Sequence, residues 1–247
     1  SENDRGIEDI GDYLFVPRYA VTFDTSESHA FSFGASAAFG PNSSGAEDGG
    51  DTGTQIYGID FTWRWTMPTD DHDHDHDSDH DHHEHSHDVG AAYPFVAWQT
   101  EAMLRKYEVG AFDWAETGEL IDLDTGAPAV LGRETLTDYG FYTQLQYGFT
   151  KGWVAGLRFD YLWGDEADYQ SRNLAFNGRP VETDPFRNDR WRISPNLTWL
   201  PSEFAKVRLQ YNYDDRKDIG RDHSIWLQFE FVLGSHGTHQ PHSAQTH

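Results

Sequence analysis

The chain has 247 residues and a formal charge of −24, and it contains no cysteine. The charge argues against nucleic acid as a partner, and the missing thiols exclude disulfides and thiolate metal sites, leaving histidine and carboxylate as ligands. No run of about 18 or more apolar residues exists, so no transmembrane helix is expected; a membrane barrel escapes that test, because only alternate residues of each strand meet lipid.

The polar stretch at residues 1–9 does not read as a signal peptide, so a cleaved leader or a start partway through a longer protein is expected. After it, a period-two alternation recurs along the chain, aromatic and aliphatic residues on one side and charged, amide or small residues on the other. Weak at residues 19–24, it strengthens at 31–39 and again at 57–65, where Tyr57, Ile59, Phe61, Trp63 and Trp65 oppose Gly58, Asp60, Thr62 and Arg64. Residues 96–104, 141–149 and 153–163 repeat it. Three further stretches are the clearest, with Trp191, Ile193, Leu197 and Trp199, then Val207, Leu209, Tyr211 and Tyr213, then Ile225, Leu227, Phe229 and Phe231 on the apolar side. About nine strands are predicted, each of the length a tilted strand needs to cross a bilayer core.

The connections alternate in length. Residues 25–28, 150–152 and 200–203 are tight turns, whereas 41–53, 113–138, 164–189 and 214–223 are long and polar. Outer membrane barrels have short periplasmic turns and longer external loops, so the expected fold is all-β, a transmembrane antiparallel β-barrel. Residues 1–234 form the barrel segment, residues 68–93 an insert within it, and residues 235–247 a tail. Aromatic residues gather where strands would meet the two interfaces, with Trp63, Trp65, Phe149, Trp153, Trp199, Phe204 and Phe231 at one end and Tyr57, Tyr161, Trp163, Trp191 and Tyr213 at the other. A soluble barrel with its aromatics inward is the alternative, since alternation does not say which face is inside. Nine is odd, so the chain is expected to be the C-terminal part of a longer barrel, unless a strand hides in a long loop, for instance at 173–181.

One connection is out of character. The insert should be a tight periplasmic turn, yet residues 70–88 read DDHDHDHDSDHDHHEHSHD. His72, His74, His76, His80, His82, His83, His85 and His87 alternate there with carboxylates. Imidazole suits zinc first, and nickel, copper or cobalt as well, and neighbouring carboxylates can complete a shell or fix the ring tautomer. Several weak, exchangeable divalent ions are expected rather than one rigid site; a merely solvating low-complexity loop is the bland alternative. The tail carries His236, His239, His242 and His247, and by strand parity it leaves from the same side. The acidic long loops would collect divalent cations or bridge them to lipopolysaccharide and outer membrane lipid.

On the polar side, Arg158, Arg190, Arg192, Lys206 and Arg208 stand beside Asp60, Glu101, Asp160 and Glu230. They could line a hydrated pore or make structural cross-strand ion pairs, and no selectivity element stands out. No nucleotide loop or nucleophile elbow is present, and no enzyme activity is expected.

The stretches ETLTDYGFYTQLQYGFTKGWVAGLRFDYLWG from Glu134, LTWLPSEFAKVRLQYNYD from Leu197 and SIWLQFEFVLGSHGTH from Ser224 resemble the C-terminal half of a family of proteobacterial outer membrane proteins, zinc-regulated and TonB-dependent receptor-like or porin-like. That resemblance implies a barrel with His-rich loops engaged in divalent metal handling, and an energy-coupling periplasmic partner. The plug domain and TonB box of a full receptor have no counterpart in these residues. The expected function is an outer membrane channel or receptor for divalent metal uptake or retention. A general solute porin with an incidental insert, or a structural or adhesive barrel, is the alternative.

Overall fold

A computed structural model describes residues 13–42, 44, 52–68, 93–181, 187–202 and 204–232. In chain order the strands are β1 (Arg18–Ser26), β2 (His29–Asn42), β3 (Thr52–Thr66), β4 (Phe95–Val109), β5 (Phe112–Asp113), β6 (Leu120–Asp122), β7 (Ala127–Pro128), β8 (Val130–Leu131) and β9 (Glu134–Thr150). They continue with β10 (Trp153–Gly164), β11 (Leu174–Phe176), β12 (Arg179–Val181), β13 (Arg190–Ser202), β14 (Ala205–Arg216) and β15 (Gly220–Phe231).

Nine of these strands form one antiparallel sheet in the order β1-β2-β3-β4-β9-β10-β13-β14-β15, so every predicted strand lies beside its neighbour in sequence. The sheet is open. Among the described residues neither β1 nor β15 pairs on its outer edge, and because nine is odd the two edge strands run in the same direction.

Register explains how the alternation becomes two faces, because directly opposed residues project to the same side. One continuous row is Tyr19, Ala35, Ile59, Ala102, Phe141, Tyr161 and Trp191. A nearby row, on the opposite face, is Ser36, Gly58, Met103, Gly140, Leu162, Arg190 and Arg216. The apolar face is the exposed one: Ile225 keeps 76%, Ile59 64% and Leu145 51% of its surface. Fully burying such a side chain is worth about 1.5–3 kcal/mol, so in water this face would forgo most of what a hydrophobic core supplies.

The polar face carries the buried groups, among them Ser194, Thr198, Asn212 and Asp214. Glycine makes the crowding possible. The Phe95 ring lies where a side chain on Gly148 would project, and a Cβ on Gly156 would sit 2.7 Å from the Asn196 amide. Two polar groups in the middle of the apolar face are satisfied inside the sheet: Trp98 Nε1 donates to Thr143 Oγ1 at 2.8 Å, and Thr100 Oγ1 donates to the Tyr142 carbonyl at 2.8 Å. Neither of these two asks anything of a surrounding solvent.

At one end of the sheet the connections are as short as predicted, at Glu27–Ser28, Lys151–Gly152 and around Phe204. Gly152 takes a φ of +81°, open to glycine without strain, and turns the chain against the Leu200 carbonyl. At the other end one expectation is corrected. Residues 214–223, read as a long loop from their charge, are mostly ladder: Asp214 opposes Asp222 and Arg216 opposes Gly220, leaving only residues 217–219 as the connection. Backbone pairing outlasts the apolar pattern there, and Arg221 closes onto Asp215 at 3.0 Å.

The competing explanation of the odd count also fails. Residues 174–181 do form strands, but β11 and β12 join β6 and β7 in a separate four-stranded sheet, outside the nine. That small sheet is built from two different long loops, around Leu120, Ala129 and Leu174, with Trp114, Leu131, Tyr169 and Val181 packed against them. It is the one cluster of buried apolar residues among the described residues.

Candidate functional site

Two places could carry function, one at each end of the sheet. At the tight-turn end, the stems of the His-rich insert are held by the main sheet: Thr66 N donates to the Ser28 carbonyl at 2.9 Å, and Met67 N to the Pro94 carbonyl at 3.0 Å. The C-terminal segment leaves from that end too, where Val232 N donates to the Phe204 carbonyl at 2.9 Å. The ligand residues themselves, His72, His74, His76, His80, His82, His83, His85, His87, His236, His239 and His242, lie outside the described residues. The described residues contain no group of three metal-ligating side chains. One histidine that the sequence did not single out, His29, sits at this end and accepts a 3.1 Å hydrogen bond from Trp63 Nε1 at its Nδ1.

The polar face between the two ends is a lattice of paired groups, interrupted at Ser194 Oγ and Asn196 Oδ1, which are buried without a hydrogen-bond partner among the described residues. Arg18 meets Asp60 at 3.0 Å, Arg158 meets Asp160 at 2.6 Å and Arg192 meets Asp214 at 2.7 Å. Lys206 pairs with Glu230, and Arg208 Nε donates to Thr198 Oγ1 at 3.0 Å. Arg158 also lies over the Tyr142 ring, 3.8 Å from its centre. Ion pairing, within one strand for Arg158 and Asp160 and between strands for Asp60, Arg192, Lys206 and Glu230, therefore accounts for most of these charges.

At the long-loop end the balance changes. Asp138 is held between two guanidinium groups: Arg105 reaches Oδ2 from β4 at 2.6 Å, and Arg187 reaches Oδ1 from the loop before β13 at 3.0 Å. Arg187 is nearly enclosed, with 10% of its side chain exposed, and its Nη2 also donates to the Thr137 carbonyl at 3.2 Å. Gly164 leaves the room for this arrangement, since a Cβ there would meet Asp138 Oδ1 at 2.7 Å and Arg187 Nη2 at 3.0 Å. Beside the triad, a cavity of about 270 Å³ opens on the polar face. Sequence reading missed this site because Arg187 enters from a loop and the carboxylate it meets is 49 residues away.

No protein-family model matches the chain, and no curated protein matches it; the receptor-like family that the sequence resembles is thus not among the matches. Among solved structures, the chain is similar to an outer membrane channel from Pseudomonas putida F1, with 11% identity, coverage of 88% of this chain and 82% of that one, and a TM-score of 0.28. A score that low assigns neither a fold nor a function.

Proposed function

We propose that the chain forms wall of an outer membrane channel, its apolar face against lipid and its polar face along an aqueous path. The observation that carries this reading is the inverted distribution of polarity. Nine strands of adequate length expose one continuous apolar face, while the buried groups of the sheet are mostly polar. In a bilayer every exposed edge must be covered, so closure takes an odd number of strands beyond these nine if all neighbours are antiparallel.

In this proposal the tight-turn end faces the periplasm, and the His-rich insert retains divalent cations there, zinc first. A TonB-type partner would be needed only if transport is energised. Reconstitution in planar bilayers tests the channel: discrete conductance steps are expected, and a protein that folds but never conducts would overturn it. A second reading, a solute porin whose insert is incidental, is favoured by the cavity on the polar face at the long-loop end, where three arginines meet one carboxylate, because local positive charge along the path repels the cations the first reading would admit.

A further inference from the structure

We infer that the long-loop end of the polar face is a binding site for a small carboxylate with an apolar body, held by Arg187 and Arg190 over a floor of Ile56, Met103 and Leu162. This goes beyond the channel reading and rests only on the geometry of the polar face.

The cavity is lined by Arg105, Arg187 and Arg190 against a single carboxylate, Asp138. Asp138 is already engaged by Arg105 and Arg187, which leaves two positive charges in excess. Arg187 Nη1 is buried and has no hydrogen-bond partner among the described residues, while Nε donates to Asp138 and Nη2 to the Thr137 carbonyl. A buried donor without a partner costs about 1–3 kcal/mol, more when charged, so Arg187, which lines the cavity, gains from an acceptor there once Nη1 turns toward it. Arg190, the first residue of β13, is directly opposite Arg216, the last of β14, and neither guanidinium makes a hydrogen bond or ion pair among the described residues. Two like charges in direct cross-strand register repel, and an anion held on Arg190 reduces that repulsion, while Arg216 itself lines a neighbouring cavity together with Asp160 and Asp214.

The ligand class follows from donors and floor together. Planar guanidinium groups match a carboxylate in bidentate fashion. The floor is not polar: Met103 and Leu162 lie in the same cross-strand row as Arg190, with Gly140 between them opening the space. An inorganic anion would leave that floor wet, whereas a carboxylate carrying a ring or short alkyl body covers it.

Benzoate is the probe, used with the full chain refolded in detergent and with protein-free micelles as blank. Calorimetry should detect saturable binding of one benzoate per chain, with benzyl alcohol and inorganic phosphate each weaker by about tenfold or more. R190Q should weaken benzoate about tenfold, and R216Q should weaken it less. Neither residue is in an ion pair among the described residues, so both variants should keep the β-sheet circular dichroism of the parent. Absence of saturable benzoate binding, equal binding of benzyl alcohol, equal binding of phosphate, or unchanged affinity in R190Q would each overturn the assignment. The measurement needs no conductance, so failure of the channel reading leaves it intact and its own failure is read separately.

Discussion

Arg190 and Arg216 face each other across β13 and β14 as a directly opposed pair on the polar face, and among the described residues neither has a hydrogen-bond or ion-pair partner. Like charges in this relation destabilise a sheet by up to about 1 kcal/mol. R216E should convert repulsion into attraction and raise the urea midpoint of the refolded protein. In planar bilayers the same substitution should shift permeability toward cations. An unchanged midpoint together with unchanged selectivity would mean that these side chains neither interact nor line the path.

Asp138 should be costly to remove. It is the carboxylate between Arg105 and the nearly enclosed Arg187, and breaking a buried pair leaves an uncompensated charge worth about 3–5 kcal/mol. D138N should lose a large part of that in equilibrium unfolding, whereas E116Q, at an exposed residue outside the main sheet, should change little.

The apolar face gives a sharp test of its surroundings. Leu145 lies in the middle of β9 with half its surface exposed, so in water L145R would be nearly neutral. Against lipid it should cost about 2–4 kcal/mol near the midplane. Unfolding from bilayers, compared between L145R and the parent, separates the two environments; equal stability would place this face in water.

The loop sheet should loosen in acid. Arg172 donates to Asp122 at 2.8 Å, and with backbone N–H donors from Asp124 and Thr125 it holds the Asp122 carboxyl below the usual carboxylate range. A folded-state value below the unfolded one means the contribution is present above the ordinary carboxylate range and is lost as pH falls through the folded value. Hydrogen exchange at β6 and β11 should quicken as pH drops below about 4, after correction for intrinsic rates, and D122N should abolish that dependence.

Deleting residues 70–88 should remove most zinc bound per chain while leaving heat-modifiable migration of the folded barrel intact. In cells, protease should reach that insert only after the outer membrane is permeabilised. Cleavage in intact cells would invert the orientation, and unchanged zinc binding after the deletion would remove the insert from metal handling altogether.

Much of this was determined by sequence alone. Period-two alternation in stretches such as 206–213 specifies a strand and its two faces, because side chains of an extended chain must alternate, and consecutive strands joined by tight turns must pair as neighbours. The odd strand count and the shared end of the insert and the tail follow from parity. Only the tertiary structure decided which face is exposed, since alternation is symmetric and the difference lies in crowding around residues such as Gly148 and Gly156. It also decided that β11 belongs with β6 rather than in the main sheet, through packing of Leu174 on Leu120. The opposition of Arg190 and Arg216, and the approach of Arg187 to Asp138, depend on register and on a loop path. No local pattern encodes either, because the interacting groups are far apart in the chain and are brought together only when the strands align.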